Sequence, residues 1–173
     1  RKAEEIVTSV RSYAKEQKLK KSPLSVNEVV TEAVKDFTST LQDYPLQIEF
    51  EEDPRSPICS LAPLEFELAV FNLLKNAKEA LKAQKADEPK VFIKISSGET
   101  HCFVDISDNG AVISDSDFER MGSVFKSGKA SGLGIGLSIV RSIVQNHNGS
   151  LVLERGENGG LVCRIRLPIF NAE

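Results

Sequence analysis

The sequence contains 173 residues, of which 40% are hydrophobic and 27% charged, and its formal net charge is −3 at pH 7. This length accommodates one domain and a short extension, with enough residues to bury a core. The slight negative charge, with Lys and Arg scattered along the chain, argues against a nucleic-acid-binding surface. No apolar run approaches the roughly 20 residues that span a bilayer. We therefore expect no membrane-spanning segment in this sequence.

The three cysteines, Cys59, Cys102 and Cys163, are odd in number and widely spaced among apolar residues. The chain has no Cys-x-x-C pair, so a zinc site is not expected. We predict buried thiols in a reducing compartment rather than a disulfide framework.

The first 19 residues carry a short helical repeat. It places these residues at alternating spacings of three and four: Ala3, Ile6, Val10, Tyr13 and Gln17. The pattern fits either a coiled-coil seam or one face of a single surface helix. Because the chain starts without Met inside this pattern, we expect a fragment of a longer protein. Ser22-Pro23 breaks the pattern and is predicted to be a linker, dividing residues 1–21 from a domain of residues 22–173.

The domain alternates between helical and strand periodicity. Ser25 is a predicted N-cap with Glu28 completing a capping box, and this first helix runs to about residue 42. Helical spacing predicts two further helices, at residues 63–84 and 133–146. Alternating apolar residues predict strands at residues 46–50, 91–95, 102–106, 151–155 and 161–167. Loops are predicted at residues 54–63 and 111–131. Three helices would then cover one face of a mixed, mainly antiparallel sheet, a two-layer α/β sandwich.

The helix of residues 63–84 carries a polar stripe in an otherwise apolar setting. Asn72, Asn76 and Glu79 share one helical face. Unpaired buried amides cost about 1–3 kcal/mol each, so this face should meet something polar. Amide oxygens suit a hard cation such as Mg²⁺ carrying phosphates. The alternative is that both amides are satisfied within the core.

Two further segments contain candidate ligand-binding residues. Asp108 ends a strand in Asp-Asn-Gly, which either places a carboxylate facing inward or forms a turn that caps its own backbone. Residues 129–138 read Lys-Ala-Ser-Gly-Leu-Gly-Ile-Gly-Leu-Ser, a glycine-rich entry to a helix. Small residues at a helix N-terminus let backbone N–H groups approach phosphates.

Together and in this order, these segments resemble the N, G1, F and G2 boxes of the sensor histidine kinase ATP-binding domain. That domain belongs to the gyrase, chaperone, histidine kinase and mismatch-repair ATPase superfamily. Residues 108–125 align without gaps to the family's lid pattern, and the resemblance covers residues 22–168. The chain looks most similar to the nitrogen-regulatory and dicarboxylate-sensor kinases.

The resemblance implies a role for each matching residue. Asp108 would accept a hydrogen bond from the adenine amine, and Asn76 would ligate Mg²⁺. Asn72 and Lys129 are the other implied catalytic residues, although an exposed lysine such as Lys129 is also commonly just solvated. The implied ATP contacts are completed by Gly110, Ile113, Phe125, Gly132, Leu133, Gly134, Gly136 and Leu137.

The sequence departs from the family pattern at three positions. Val112 stands where the second G1 glycine is usual, and Ala111 replaces a common proline. Because a β-branched residue resists positive φ, Val112 puts nucleotide affinity and lid geometry in question. Gly122 replaces the large apolar residue that usually precedes the F-box Phe125, which suggests a looser lid.

The resemblance implies a function and partners. The chain would be the ATP-binding catalytic domain of a two-component sensor histidine kinase, transferring the γ-phosphoryl group of Mg²⁺–ATP to a histidine outside this sequence. Neither His101 nor His147 matches the phosphoacceptor, and His147 is predicted to close a helix C-terminus. The implied partners are the phosphoacceptor helix of a homodimeric kinase and the receiver domain of a response regulator. Residues 1–21 would then be the end of the kinase's dimerisation helix and a linker. The resemblance also implies a cytoplasmic domain whose parent protein contacts the inner membrane only through other segments.

Two alternatives to this function remain open. The Val112 substitution also fits a degenerate domain that binds nucleotide poorly and acts as a regulatory or dimerisation module. A serine kinase acting as an anti-sigma factor would carry the same boxes.

Overall fold

The computed structural model of the chain describes residues 20–127 and 133–171, with only the backbone described at residues 124–127 and 133–135. The described helices are α1 (Val26–Ser39), α2 (Pro63–Ala83), α3 (Asp115–Ser127) and α4 (Leu133–Asn146). The described strands are β1 (Ser22–Ser25), β2 (Gln47–Glu51), β3 (Ile58–Leu61), β4 (Lys90–Ser97), β5 (His101–Asp108), β6 (Ser150–Arg155) and β7 (Leu161–Pro168). The predicted seam at residues 1–19 lies outside the described residues.

Five strands form one mixed sheet in the order β2–β4–β5–β7–β6. β2 pairs with β4 in parallel, and the other three pairings in this sheet are antiparallel. Alternation along the two central strands buries one face, so that these side chains all point into the core: Val91, Ile93, Ile95, Cys102, Val104 and Ile106. The predicted mixed, mainly antiparallel sheet is confirmed.

The long helix α2 is the centre of the helical layer. It packs against α1, α4 and the sheet strands β4 and β5. Phe66, Leu74 and Leu81 of α2 are fully buried, as is Phe37 of α1. Each such side chain contributes roughly 1.5–3 kcal/mol when removed from water. The predicted two-layer α/β sandwich is confirmed, with α1, α2 and α4 as its expected three helices.

A fourth helix lies within the segment predicted to be a loop, residues 111–131. α3 begins at Asp115, and its helical spacing is hard to recognise because its residues are mostly polar. The Ser114 hydroxyl accepts a hydrogen bond from the Asp117 N–H at 3.2 Å, as an N-cap does. α3 packs mainly against α4 and adds little to the core.

A small second sheet corrects two further loop predictions. β1 occupies the predicted linker around Ser22-Pro23, and β3 occupies the predicted loop of residues 54–63. The two strands pair antiparallel, with Leu24 opposite Cys59. Four-residue strands with a distant partner leave little local signal, and the neighbouring prolines favoured a loop. The Ser25 N-cap is confirmed, since its hydroxyl accepts from the Glu28 N–H, but α1 ends at Ser39 rather than near residue 42.

His147 joins the end of α4 to the start of α2. Its side chain is 3% exposed. The ring Nε2 accepts the Ala62 N–H at 3.0 Å, which leaves the proton on Nδ1 to be donated to the Ile143 carbonyl at 2.7 Å. The predicted role of His147 in closing its helix is confirmed, and the bond to Ala62 also caps α2, whose N-cap residue offers no side-chain acceptor.

The three cysteines are free and buried, as predicted. Within the described residues, no helix combines the length and apolar character needed to cross a membrane.

Candidate functional site

The polar stripe of α2 contains one unsatisfied amide nitrogen among the described residues. Asn72 Nδ2 donates to the Leu68 carbonyl at 2.8 Å, so this side chain is satisfied within its own helix. Glu79 is exposed and lies 3.9 Å from the Lys75 ammonium. Asn76 Nδ2 is buried and has no hydrogen-bond partner among the described residues. Asn76 is therefore the residue of this stripe with an unsatisfied buried amide nitrogen among the described residues.

Gly136 of α4 faces this unsatisfied amide. A Cβ added at Gly136 would lie 3.1 Å from Asn76 Oδ1 and 3.3 Å from Nδ2. A methyl group at position 136 would therefore crowd the Asn76 side chain by a few tenths of an ångström. The next residue, Leu137, is 3% exposed and belongs to the core. The first turn of α4 thus lies beside Asn76, where a helix N-terminus carries about half a positive charge.

Asp108 ends β5, and each of its carboxylate oxygens accepts a backbone hydrogen bond. Oδ1 accepts from the Gly110 N–H at 2.8 Å, and Oδ2 accepts from the Leu161 N–H at 3.3 Å. Burial raises the pKa of Asp108, while these two hydrogen bonds lower it. The carboxylate therefore caps the backbone of its own turn, which is one of the two arrangements expected from the Asp-Asn-Gly sequence. An ionised carboxylate has more lone pairs than these two bonds use, so Asp108 can still accept a further hydrogen bond.

The backbone after Asp108 is held by the end of α2. Gln84, the C-cap of α2, accepts the Ala111 N–H on Oε1 at 2.8 Å. A Cβ at Gly110 would lie 2.7 Å from Asp108 Oδ1 and 2.8 Å from Gln84 Oε1, so a larger residue there would displace both side chains. Gln84 lies eight positions after Asn76, which places them about 12 Å apart along the helix. One helix thus holds both Asn76 and the Asp108 turn.

The turn between β6 and β7 packs on the other side of the same loop. The Gly160 N–H donates to the Ala111 carbonyl at 3.0 Å. Gly160 has a φ of +73°, and a Cβ there would lie 2.1 Å from the Asp108 carbonyl oxygen. Only glycine fits this conformation and this approach. Gln84 and Gly160 were both missed from the sequence, although Gly159-Gly160 is a turn signal that could have indicated a close backbone approach.

Val112 does not adopt the positive φ that would be unfavourable for a β-branched residue. The non-glycine residues with positive φ in the described part of the chain are Gln42, Ser56, Lys85 and Asn148, and Val112 is not among them. Its side chain is 81% exposed. The loop therefore accommodates valine without strain at this position.

The remaining predicted site residues are only partly described. Ile113 is half-buried, and its carbonyl accepts from Arg155 at 3.4 Å. Phe125, Leu133 and Gly134 lie in helices whose side chains are not described at those positions. Lys129 and Gly132 lie outside the described residues. The structure thus brings Asn76 against Gly136, and Asp108 against Gly110.

A comparison with protein families matches residues 62–171 to the Histidine kinase-, DNA gyrase B-, and HSP90-like ATPase family. The matched region starts just before α2 and includes both the Asn76–Gly136 contact and the Asp108 turn. It covers more than half of the 173 residues. The chain belongs to this ATPase family. The resemblance drawn from the asparagine, Asp108 and glycine-rich segments is confirmed.

Two of the relatives of this chain are sensor proteins. The sensor protein FixL of Bradyrhizobium diazoefficiens is 26% identical over 167 residues, covering 96% of this chain and 33% of FixL. The C4-dicarboxylate transport sensor protein DctS of Rhodobacter capsulatus is 25% identical over 169 residues, covering 98% of this chain and 26% of DctS. The chain thus spans a third or less of the length of these relatives.

The fold also matches that of a solved histidine kinase. Histidine kinase ThkA, in complex with the response regulator protein TrrA, superimposes with a TM-score of 0.77 at 25% identity. The match covers 98% of this chain and 48% of the ThkA chain. The similarity therefore extends over nearly the whole chain.

Proposed function

We propose that this chain is the ATP-binding catalytic domain of a two-component sensor histidine kinase. The observation that carries the proposal is the buried Asn76 amide, which has no partner in the described residues and lies against Gly136 at the first turn of α4. An unsatisfied buried amide costs about 1–3 kcal/mol, so its retention is accounted for by a polar ligand. Membership in an ATPase family and the sensor-kinase names of relatives support ATP as that ligand.

In this proposal, the C-terminal end of α2 and the part of α2 around Asn76 lie beside different parts of the ligand. The Asp108 carboxylate, held near the C-terminus of α2, accepts a hydrogen bond from the adenine amine. The N-terminus of α4 binds the phosphates through its backbone N–H groups and partial positive charge. The roughly 12 Å between Asn76 and Gln84 along α2 separates a base-binding end from a phosphate-binding end.

The residues beside the phosphate-binding end also suit a divalent cation. Mg²⁺, when bound, would neutralise phosphate charge, and the Asn76 carboxamide oxygen is the ligand that α2 offers it. Asn72 lies one turn earlier and is occupied by the Leu68 carbonyl, so we assign it a role in supporting the helix beside Asn76. We propose that Lys129 adds positive charge near the γ-phosphate.

Phosphoryl transfer in this proposal goes to a histidine elsewhere. His147 is buried and both of its ring nitrogens are engaged. His101 Nδ1 lies 2.7 Å from the Thr100 hydroxyl and 3.3 Å from Arg166. We propose that the acceptor lies on a helix of the homodimeric parent kinase and that a response regulator then receives the phosphoryl group. The TrrA complex of the similar kinase ThkA supports such a partner.

A phosphotransfer assay tests this function. The purified domain is mixed with the histidine-bearing helical hairpin of its parent protein, Mg²⁺ and ATP labelled at the γ-phosphate. We expect label on the hairpin that is lost in acid and retained in alkali, because a phosphohistidine N–P bond is acid-labile. Asn76→Ala should abolish the label. Acid-stable label would instead indicate a serine kinase, and no label from a domain that binds Mg²⁺–ATP would contradict the proposal.

A further inference from the structure

Arg155, the last residue of β6, contacts three residues at the start of the segment that contains α3. Its Nη1 forms a hydrogen-bonded ion pair with Asp115 Oδ1 and donates to the Ile113 carbonyl at 3.4 Å. Its guanidinium carbon lies 5.3 Å from the centre of the Phe118 ring, within cation–π range. We call residues 113–118 the lid root. A single side chain from the edge strand of the sheet therefore holds the lid root at three points.

The same strand residue leads directly into the turn that packs on the Asp108 loop. Arg155 pairs with Leu161 across the β6–β7 hairpin. The Leu161 N–H donates to Asp108, and the neighbouring Gly160 N–H donates to the Ala111 carbonyl. The hairpin therefore holds the Asp108 loop through its backbone and holds the lid root through Arg155. The exit from the loop is fixed on both sides of Val112.

Val112 makes this attachment more important. A β-branched residue restricts its own backbone and cannot serve as a flexible hinge as glycine can. Val112 packs little, since it is 81% exposed. The Val112 side chain therefore contributes little to the position of the lid root. That position is set instead by the contacts of Arg155.

We propose that Arg155 is a positioning residue for nucleotide binding: it fixes the lid root so that α3 leads from the base-binding end towards the phosphate-binding end of the site. The inference rests on the proposed function. The lid root connects Asp108 to α4 in the chain, so its placement should matter for ATP more than for adenosine. The Arg155 and Asp115 side chains are 45% and 85% exposed. An exposed ion pair of this kind contributes little to global stability.

The test compares Arg155→Ala with a matched control in α3. Arg120 pairs with Asp117 at 2.8 Å within the same helix and forms no hydrogen bond or ion pair with the sheet among the described residues, so Arg120→Ala removes an equivalent charge without detaching the lid root. Calorimetry should show a Kd for Mg²⁺–ATP raised about five- to tenfold in Arg155→Ala and unchanged in Arg120→Ala. The Kd for adenosine should be unchanged in both, and the melting temperature should move by less than about 3 °C.

A charge exchange separates positioning from a general structural effect. Arg155→Asp and Asp115→Arg should each weaken Mg²⁺–ATP binding, and the double variant should recover at least half of the loss. The inference is overturned if Arg155→Ala binds Mg²⁺–ATP like the wild type, if adenosine binding falls equally, or if the exchange recovers nothing. A wild-type domain that binds no Mg²⁺–ATP would instead overturn the proposed function.

Discussion

Replacing Gly136 with alanine should separate the stability of this domain from its affinity for Mg²⁺–ATP. Gly136 lies in the first turns of α4, where alanine is favoured over glycine by up to about 1 kcal/mol. The added Cβ would lie 3.1 Å from Asn76 Oδ1, a few tenths of an ångström closer than an ordinary contact. Crowding of this kind costs about 1 kcal/mol. The two effects nearly cancel, so the free energy of unfolding should change by less than about 1 kcal/mol.

The affinity for Mg²⁺–ATP should fall, because the methyl group crowds Asn76, whose Nδ2 has no hydrogen-bond partner among the described residues. Losing a hydrogen bond or ligand contact to a charged group costs about 1.5–3 kcal/mol, which corresponds to a roughly ten- to hundredfold weaker Kd. Calorimetric titration with Mg²⁺–ATP and thermal unfolding of the same samples would measure both quantities. Gly122→Ala is the matched control: it also lies in a helix, but its added Cβ meets no described atom within 4 Å.

A double-variant cycle determines whether Gly136→Ala weakens Mg²⁺–ATP binding by disturbing Asn76. If it does, Gly136→Ala should weaken binding little further once Asn76→Ala is present. Fully additive losses would show that the methyl group acts on the ligand directly. Wild-type affinity in Gly136→Ala would refute the assignment of the Asn76–Gly136 contact to the nucleotide site.

Two further predictions concern His147 and Gln84. Burial lowers the pKa of His147 in the folded protein. As the pH falls below about 6.5, the imidazole is therefore protonated more readily in the unfolded chain than in the folded one. The free energy of unfolding should then decrease by up to about 1.4 kcal/mol per pH unit. Urea unfolding between pH 7.5 and 5.5 should show this slope in the wild type and in His101→Gln, and a smaller slope in His147→Gln; equal slopes would contradict it. Gln84→Ala should weaken Mg²⁺–ATP binding about threefold by releasing the Ala111 N–H, whereas Gln84→Glu keeps the acceptor and should bind normally; calorimetry on both variants checks this, and equal affinities would contradict it.

The fold was largely predictable because its long elements carry strong periodic signals. α2 places Phe66, Leu74 and Leu81 on one buried face, and β4 and β5 alternate strictly. α3 was missed because it is polar and contributes little to the core, although the Ser114 cap with Asp117 three residues later was a readable signal. β1 and β3 were missed because their stability comes from pairing with each other across more than 30 residues.

The candidate site was predictable where its chemistry lies in a local motif. Asn76, Asp108 and Gly110 were predicted from such motifs, and the structure places each in a close contact. Residues that act across the fold were not found: Gln84 reaches Ala111 from another element, and Arg155 reaches Asp115 across 40 residues of chain. Their side chains are ordinary surface types, so only the packing shows what they hold in place.

The most direct test of the account is calorimetric titration of the folded domain with ATP, with and without Mg²⁺, alongside Asp108→Ala. Asp105→Ala is the control, because Asp105 lies on the opposite face of β5 and pairs with Arg164 at 2.8 Å. The account predicts saturable, Mg²⁺-sensitive binding that is retained in Asp105→Ala and lost in Asp108→Ala. No binding by the folded wild-type domain, or equal binding by Asp108→Ala, would contradict it.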